Sequence, residues 1–516
     1  MRKLIFIPFI ILWYFLMYKL YVLKLNAFGC FDDCFNYAGG FFLGKGKVLF
    51  SEIFFNHQLT MPYISMIIQK ITSPTEIYEL LLRHRQFHFL FASLSSILLV
   101  LRFGWKFFLF SLLYEPTKFY LFGERFLAEG FIVYPLIYLF ASVWEQIHKK
   151  ALKTVDGIII PLSTWFIVFS REPYVPAALF LFLLSLSYEK RTWYRLIIGG
   201  IFSAMSLGIF WFIPFNDFYF NVVTVNRLTV LQSELQNSNL LLHTLNSFFY
   251  PIVLLLDKAP WNDFRILLSI YTLIGLCAAV YVKKNIKLTL YIVTFILLGL
   301  ANLRPVSPGT VFYSAFHLLP WYALSISFLV LLTDKFPIKK QWIYSIILLF
   351  PVAVFSFRPS SFFRESTSSS SHEEFLTNYG SLNAVASTIK SLSAPNQTVF
   401  LDGADELIYW QADRLSPYKY IWYTSVMPNI PLYADARLEM FTKNPPDFYY
   451  RFCSQTEIPD RSLPASMQPM YEQLLESEKP SCLYVKKSII PTIPPKQWEE
   501  AKKYLYTLPD KPVHEL

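Results

Sequence analysis

Eleven stretches of this chain run almost free of charge for long enough to cross, or nearly cross, a lipid bilayer. They lie near residues 4–23, 86–101, 105–122, 126–143, 155–170, 174–188, 196–213, 264–282, 288–302, 311–332 and 341–357. A bilayer-spanning helix needs about 20 consecutive apolar residues. In hydrocarbon, backbone polar groups can be satisfied only inside helices or closed barrels. Charged residues make up 16% of the 516 positions, against about 25% in a soluble domain. The fold class expected is therefore an α-helical polytopic membrane protein with eleven transmembrane helices. The shorter apolar piece at 244–256 is expected to dip into the membrane without crossing it. At the start, MRK precedes LIFIPFIILWYFLMY with no small-x-small cleavage site close behind, so the first helix reads as uncleaved.

The formal charge of +10 has meaning only once it is located along the chain. With the N-terminus in the cytoplasm, the inner segments collect sixteen Lys and Arg, from Arg2 and Lys3 to Lys335, Lys339 and Lys340. The three short outer loops hold one each: Arg125, Arg171 and Arg304. Short cytoplasmic loops accumulate Lys and Arg, so the basic excess is a topology signal and a nucleic-acid partner is excluded. The localisation expected is a multi-pass cell-membrane protein. Its long first outer loop is 24–85, inside a membrane domain of residues 1–357. A Ser-rich linker, 358–375, leads to an extracytoplasmic tail, 376–516. In the tail, NAVASTIKSL reads as a helix, and TVFLDG and CLYVKKSII read as strands, a small α/β domain. Cys453 and Cys482 could pair there in an oxidising compartment. The five cysteines show no zinc-ligand spacing.

The residues able to carry chemistry concentrate in the first outer loop. Asp32 and Asp33 come first, in CFDDCFNY, with Tyr37 four residues after the second acid. Gly44-Lys-Gly46, Glu52, His57 and Gln58 follow. The periodicity suggests two short amphipathic helices on the membrane surface. The plain reading of the acid pair is a solvated helix start, since acids favour a first helical turn.

This loop resembles the first extracytoplasmic loop of the GT-C superfamily of membrane glycosyltransferases. The branch it looks like holds the protein O-mannosyltransferases and the lipid A aminoarabinose transferases. That branch has one span, an acidic pair, an aromatic four residues on, a glycine, and a His/Pro or Lys/Pro-Pro segment. Asp33, Tyr37, Gly46 and His57-Gln58 supply that pattern here, in a match of about thirty-five residues. Cys34 stands where an acid is usual after the catalytic Asp, and Leu59-Thr60 where a proline is expected. The Asp-to-aromatic spacing points to Asp33 as the catalytic acid and the order of the pair to Asp32, so both stay open. The resemblance implies an enzyme, a hexosyltransferase using a polyprenyl-phosphate sugar donor. The acceptor would be a hydroxyl on a protein, lipid or glycan.

The chemistry such a reaction needs is specific. An acceptor hydroxyl needs a base, here Asp33 or Asp32, and attack opposite the departing phosphate gives inversion. The leaving phosphate needs cations, for which Arg304, Arg125 and Arg171 are the candidates. The plain alternatives are snorkelling, or pairing with Glu124, Glu129 or Glu172. Tyr37, Glu52, His57 and Gln58 would line the substrate loop. These residues fix no cofactor; His57 could bind phosphate or a divalent metal, but a lone His specifies neither. His317, in AFHLLPW, reads as structural, and Asp402 and Asp405 as caps. A lipid-linked sugar transporter or flippase would show acids in mid-span or paired broken helices. A polysaccharide polymerase or ligase would place Arg and His in later loops.

Overall fold

The structure is a computed structural model. It describes residues 5–23, 32–231, 240–256, 258, 261–304, 315–356, 371–403, 406–424, 427–451 and 462–509. Every apolar window of the sequence carries a helix. The first nine helices are α1 (Phe6–Leu23), α2 (Asp32–Gly44), α3 (Thr60–Thr72), α4 (Ile77–Phe103), α5 (Lys106–Thr117), α6 (Ala128–Ile147), α7 (Asp156–Val168), α8 (Val175–Tyr188) and α9 (Thr192–Ile209). There follow α10 (Phe215–Tyr219), α11 (Leu240–Phe248), α12 (Tyr250–Leu256), α13 (Asp263–Tyr281), α14 (Leu288–Leu300), α15 (Leu319–Leu332) and α16 (Ile338–Ser356). Among the described residues, six helical segments are long and apolar enough to cross a bilayer, which makes the chain a helical membrane protein. They are Ile77–Phe103, Ala128–Ile147, Thr192–Ile209, Asp263–Tyr281, Ala315–Lys335 and Ile338–Phe355. The remaining windows hold shorter helices, among them Phe6–Val22 and Leu288–Leu300.

Burial sorts these helices. The segments around α6 and α15 are 89% buried, whereas those around α4, α9, α13 and α16 are 11–39% buried. Two central pillars are thus ringed by helices whose Leu, Ile and Phe side chains point outward, such as Leu94, Leu207, Leu273 and Ile346. That is the arrangement expected when the surrounding solvent is lipid. The piece at 244–256 breaks into α11 and α12, of nine and seven residues. At 1.5 Å per residue neither reaches across a bilayer.

Ion pairs tie the end of the bundle remote from the first loop. Arg102 donates from Nε and Nη2 to both carboxylate oxygens of Asp156 at 2.7 Å, and from Nη1 to Glu145 at 2.7 Å. Lys106 pairs with Asp334 beside them. These buried groups join α4, α6 and α7 and satisfy one another.

At the opposite end the first loop and the tail build a second core. The tail contributes α17 (Ser371–Leu392), α18 (Leu407–Ala412), α19 (Pro431–Lys443) and α20 (Pro495–Lys502). Its sheet consists of β1 (Val399–Asp402), β2 (Phe448–Arg451), β3 (Tyr471–Glu476), β4 (Lys479–Lys486) and β5 (Tyr506–Thr507), in the order β1-β2-β4-β3-β5. β1 and β2 run parallel, with Val399 opposite Phe448, and the other pairs are antiparallel. The helix and both strands expected from the tail's sequence are present. The tail is not set apart by packing: one hydrophobic cluster runs from Tyr37, Phe42 and Phe54 into Trp410, Trp422 and Tyr433. Phe35 meets Trp422 at 4.9 Å between ring centroids, Trp410 Nε1 donates to Gln69 Oε1 at 3.0 Å, and Phe54 N donates to Tyr420 O at 3.1 Å. Part of the linker, 358–370, and Cys453 and Asp405 lie outside the described residues. Cys482 and Cys34 are each disulfide-bonded, while Cys277 is a free thiol.

Candidate functional site

The site grows from the start of α2. Its first turn carries Asp32 and Asp33, and every residue from Asn36 to Leu43 is buried. The expectation of a surface-lying amphipathic helix is corrected here. α2 is wrapped by α3, α18 and the tail's aromatic residues, so its apolar stripe is closed on all sides rather than laid on lipid. Gly40 lets α3 come this near, because a Cβ there would sit 2.7 Å from Met66 N. Gly46, at φ +86°, ends the helix in the left-handed conformation that favours glycine.

Adjacent residues of a helix point about 100° apart, and this separates the two acids. Asp33 is fully buried in a cage of cations, its Oδ1 3.7 Å from Arg125 Nη1 and its Oδ2 3.8 Å from Arg85 Nη2. Tyr37, one turn on, donates to Asp33 Oδ2 at 3.5 Å. Burial, and then the Asp33 carboxylate, push the Tyr37 phenol well above its usual range. Arg85 also approaches Glu124, at 3.7 Å. Tyr379 of α17 lies near enough for Asp33, after burial itself, to push its phenol up.

Asp32 faces the other way, into a small cleft lined also by Asn36, His57, Gln58, Glu129 and Arg171. Its side chain is 38% exposed. Arg171 Nη2 donates to Asp32 Oδ2 at 3.2 Å, and Arg171 Nε donates to Glu129 Oε1 at 2.9 Å. Glu129, at the start of α6, also holds His317 Nδ1 at 3.0 Å. Tyr174 OH donates to the His317 carbonyl at 2.7 Å. His57 Nε2 stands 3.9 Å from Asp32 Oδ2. Burial first, then the positive charges of Arg171 and Arg304, hold the His57 imidazole well below its usual range. His57 is therefore neutral at pH 7. The cleft combines an accessible carboxylate, an imidazole and a guanidinium, those of Asp32, His57 and Arg171, with Glu129 behind them holding His317, an arrangement suited to holding an anion beside a base.

The sequence candidates distribute unequally around it. Asp32, His57, Gln58 and Arg171 line the cleft, and Arg304 is close enough to act on His57 and His317. Arg125 and Tyr37 belong to the Asp33 cage. Glu52 stands apart, accepting from Lys47 Nζ and Val48 N at 2.9 Å each in the turn before α3. Three members escaped the sequence reading. Arg85 looks like one more basic residue in RHRQ. Glu129 stood only as a local partner for arginine, and His317 only as structural. Among the described residues no group of three or more His, Cys, Asp or Glu is arranged to hold a metal ion.

A second cavity is lined in part by α15, which begins just after His317. A groove of about 400 Å³ opens on the flank of the bundle between α11, α12, α13, α14 and α15, lined by Phe248, Leu268, Tyr271, Phe295, Leu298 and Trp321. Trp321 follows His317 by four residues and Leu298 precedes Arg304 by six. Exposed Ile252, Leu255 and Leu276 form its mouth. No family model matches the chain, and neither a curated protein nor a solved structure matches it.

Proposed function

We propose that this chain is an integral-membrane glycosyltransferase of the GT-C kind. It moves a sugar from a polyprenyl-phosphate donor to a hydroxyl acceptor at the outer membrane face, with inversion. The observation that carries the reading is one juxtaposition. An accessible carboxylate, Asp32, sits against Arg171 and His57, Arg171 joins it to the Glu129–His317 pair, and four residues beyond His317 the chain lines an apolar groove open to the bundle's flank. A charged head with a long hydrocarbon tail is the ligand class that needs both halves.

In this mechanism the isoprenoid tail lies in the groove, and the phosphate is met by Arg171 and Arg304. Asp32 takes the proton of the incoming hydroxyl as the new glycosidic bond forms, and the phosphate leaves from the opposite face with its electron pair. Burial favours Asp32 over Asp33 for this role, since a base must reach the hydroxyl it deprotonates. Asp33 then serves as the anion that holds Arg85 and Arg125 together under the cleft. The tail, packed on α2 and α3, shapes acceptor access without supplying the base.

The reading requires eleven spans, a cytoplasmic N-terminus and an outer tail. The sixteen-to-three charge split supports this, as does the presence of disulfide-bonded Cys34 and Cys482 in the two segments assigned outside. Reporter fusions at residues 150, 192 and 338 should read cytoplasmic, and one after residue 365 extracytoplasmic.

The functional test is a screen of radiolabelled polyprenyl-phosphate sugars in membranes containing wild type or Asp32→Asn, with and without a chelator. Label should enter an acceptor fraction from one donor class with wild type only, and the chelator arm reads any metal requirement. Equal incorporation by the two proteins, or none from any donor, overturns the proposal.

A further inference from the structure

The function proposed above leaves the most elaborate pair in the site without a task. Glu129 and His317 are brought together across 188 residues of sequence, at the ends of the two most buried helices, α6 and α15. Glu129 Oε1 holds Nδ1 of the ring, and Tyr174 fixes the backbone by donating to the His317 carbonyl. Nε2 is the nitrogen left for a ligand; it makes no hydrogen bond among the described residues. A carboxylate on Nδ1 fixes the ring's orientation and stabilises its doubly protonated form, in which Nε2 is a donor. A structural tie between α6 and α15 would need no such carboxylate, because an apolar contact would serve.

We propose that His317 is a phosphate-gripping residue whose imidazolium Nε2–H donates to a non-bridging oxygen of the lipid donor's phosphate, with Glu129 as its positioning residue. The inference rests on the donor reading given above. The charged and titratable groups around the ring are Glu129 on α6, Arg171 and Tyr174 after α7, Arg304 after α14, and His57 before α3, with Asp32 and Glu172 as further carboxyls acting on Arg171. Glu129 is the anion that touches the ring. Burial and the positive charges of Arg171 and Arg304 outweigh Glu129 and disfavour the proton on the free ring; a bound phosphate offsets those charges, so proton and ligand enter together. Donor affinity therefore weakens as pH rises and the imidazolium loses its proton.

The test uses the purified full-length protein in nanodiscs and a polyprenyl methyl phosphate. This diester carries one negative charge throughout the range used, so the phosphate does not itself titrate. Free polyprenol reports the contribution of the tail alone. Wild type should bind the diester more tightly than polyprenol, losing roughly tenfold in affinity between pH 5.5 and 8.5, the worth of one charge-assisted hydrogen bond. His317→Gln should bind weakly with a flat profile, and His57→Gln should keep the slope. Glu129→Gln keeps an acceptor for Nδ1 without the charge, and should fall toward the His317→Gln level at low pH. A flat wild-type profile overturns the inference even if no variant folds, and so does an unchanged slope in His317→Gln; both leave the donor reading standing. Equal affinity of wild type for the diester and polyprenol overturns the donor reading and the inference with it.

Discussion

Replacing Asp33 by Asn removes the negative charge from between two guanidiniums that water scarcely reaches. Asp33 and Arg125 are fully buried, and Arg85 is 2% exposed. Breaking a buried ion pair by deleting one partner costs about 3–5 kcal/mol, because the other charge is left uncompensated. The separations of 3.7 and 3.8 Å, and Glu124, which stays 3.7 Å from Arg85, place this case at or below the lower end, at most about 3 kcal/mol, or roughly a hundredfold in the folding equilibrium. Asp32→Asn should behave in the opposite way. Asp32 is partly exposed and its partner Arg171 keeps Glu129, so stability should change by less than about 1 kcal/mol. Turnover should fall by about a hundred- to ten-thousand-fold, the usual contribution of a general base, with little change in donor affinity. Thermal unfolding and sugar transfer, measured on the same preparations, separate the two. An Asp33→Asn protein that melts like wild type yet transfers nothing, beside an active Asp32→Asn, would refute this division of labour.

Other outcomes follow from the same geometry. Arg304→Ala should weaken donor binding as well as turnover, since the phosphate is charged before and after transfer; a pure turnover effect in a binding and single-turnover assay contradicts this. Because burial and neighbouring cations lower the His57 pKa in the folded protein, the unfolded chain binds more protons, and stability rises with pH across the window below about 6.5. Wild type should therefore lose more of its thermal midpoint between pH 7 and pH 5 than His57→Gln; equal losses count against it. Gly40→Ala should cost about 1–3 kcal/mol, as in other overpacked cores, because its Cβ would meet the backbone of α3, and a wild-type melting curve would show that the helices yield. A Cys277→Ala protein should take up more maleimide after reduction than before it, since Cys34 and Cys482 are disulfide-bonded, and equal uptake counts against this.

The membrane helices were legible because hydrocarbon leaves the backbone one economical solution and the side chains must match it for about 20 residues. The Asp33–Tyr37 contact was legible too, as a spacing of four on a helix. Arg171 stood out because a lone arginine between two apolar windows needs a reason. The Glu129–His317 pair left no such trace, since its partners are set by how α6 and α15 pack and each alone looks like an ordinary polar residue at a helix start. Arg85 was hidden by its neighbours: on a helix with Arg83 and His84 beside it, only the packing decides which charge turns inward. The docking of the tail on α2 and α3 was equally invisible. Trp410, Trp422 and Tyr433 would serve as well in a self-contained core, and the sequence has no means of saying whose aromatic rings they meet.

The most direct measurement follows what the purified protein does to a polyprenyl-phosphate sugar in sealed vesicles, with a hydroxyl acceptor supplied and the product's anomeric configuration read by NMR. A new glycosidic bond of inverted configuration should be formed by wild type and lost in Asp32→Asn while donor binding persists. Movement of the intact lipid between leaflets without a new bond, or transfer with retained configuration, would contradict the proposed function.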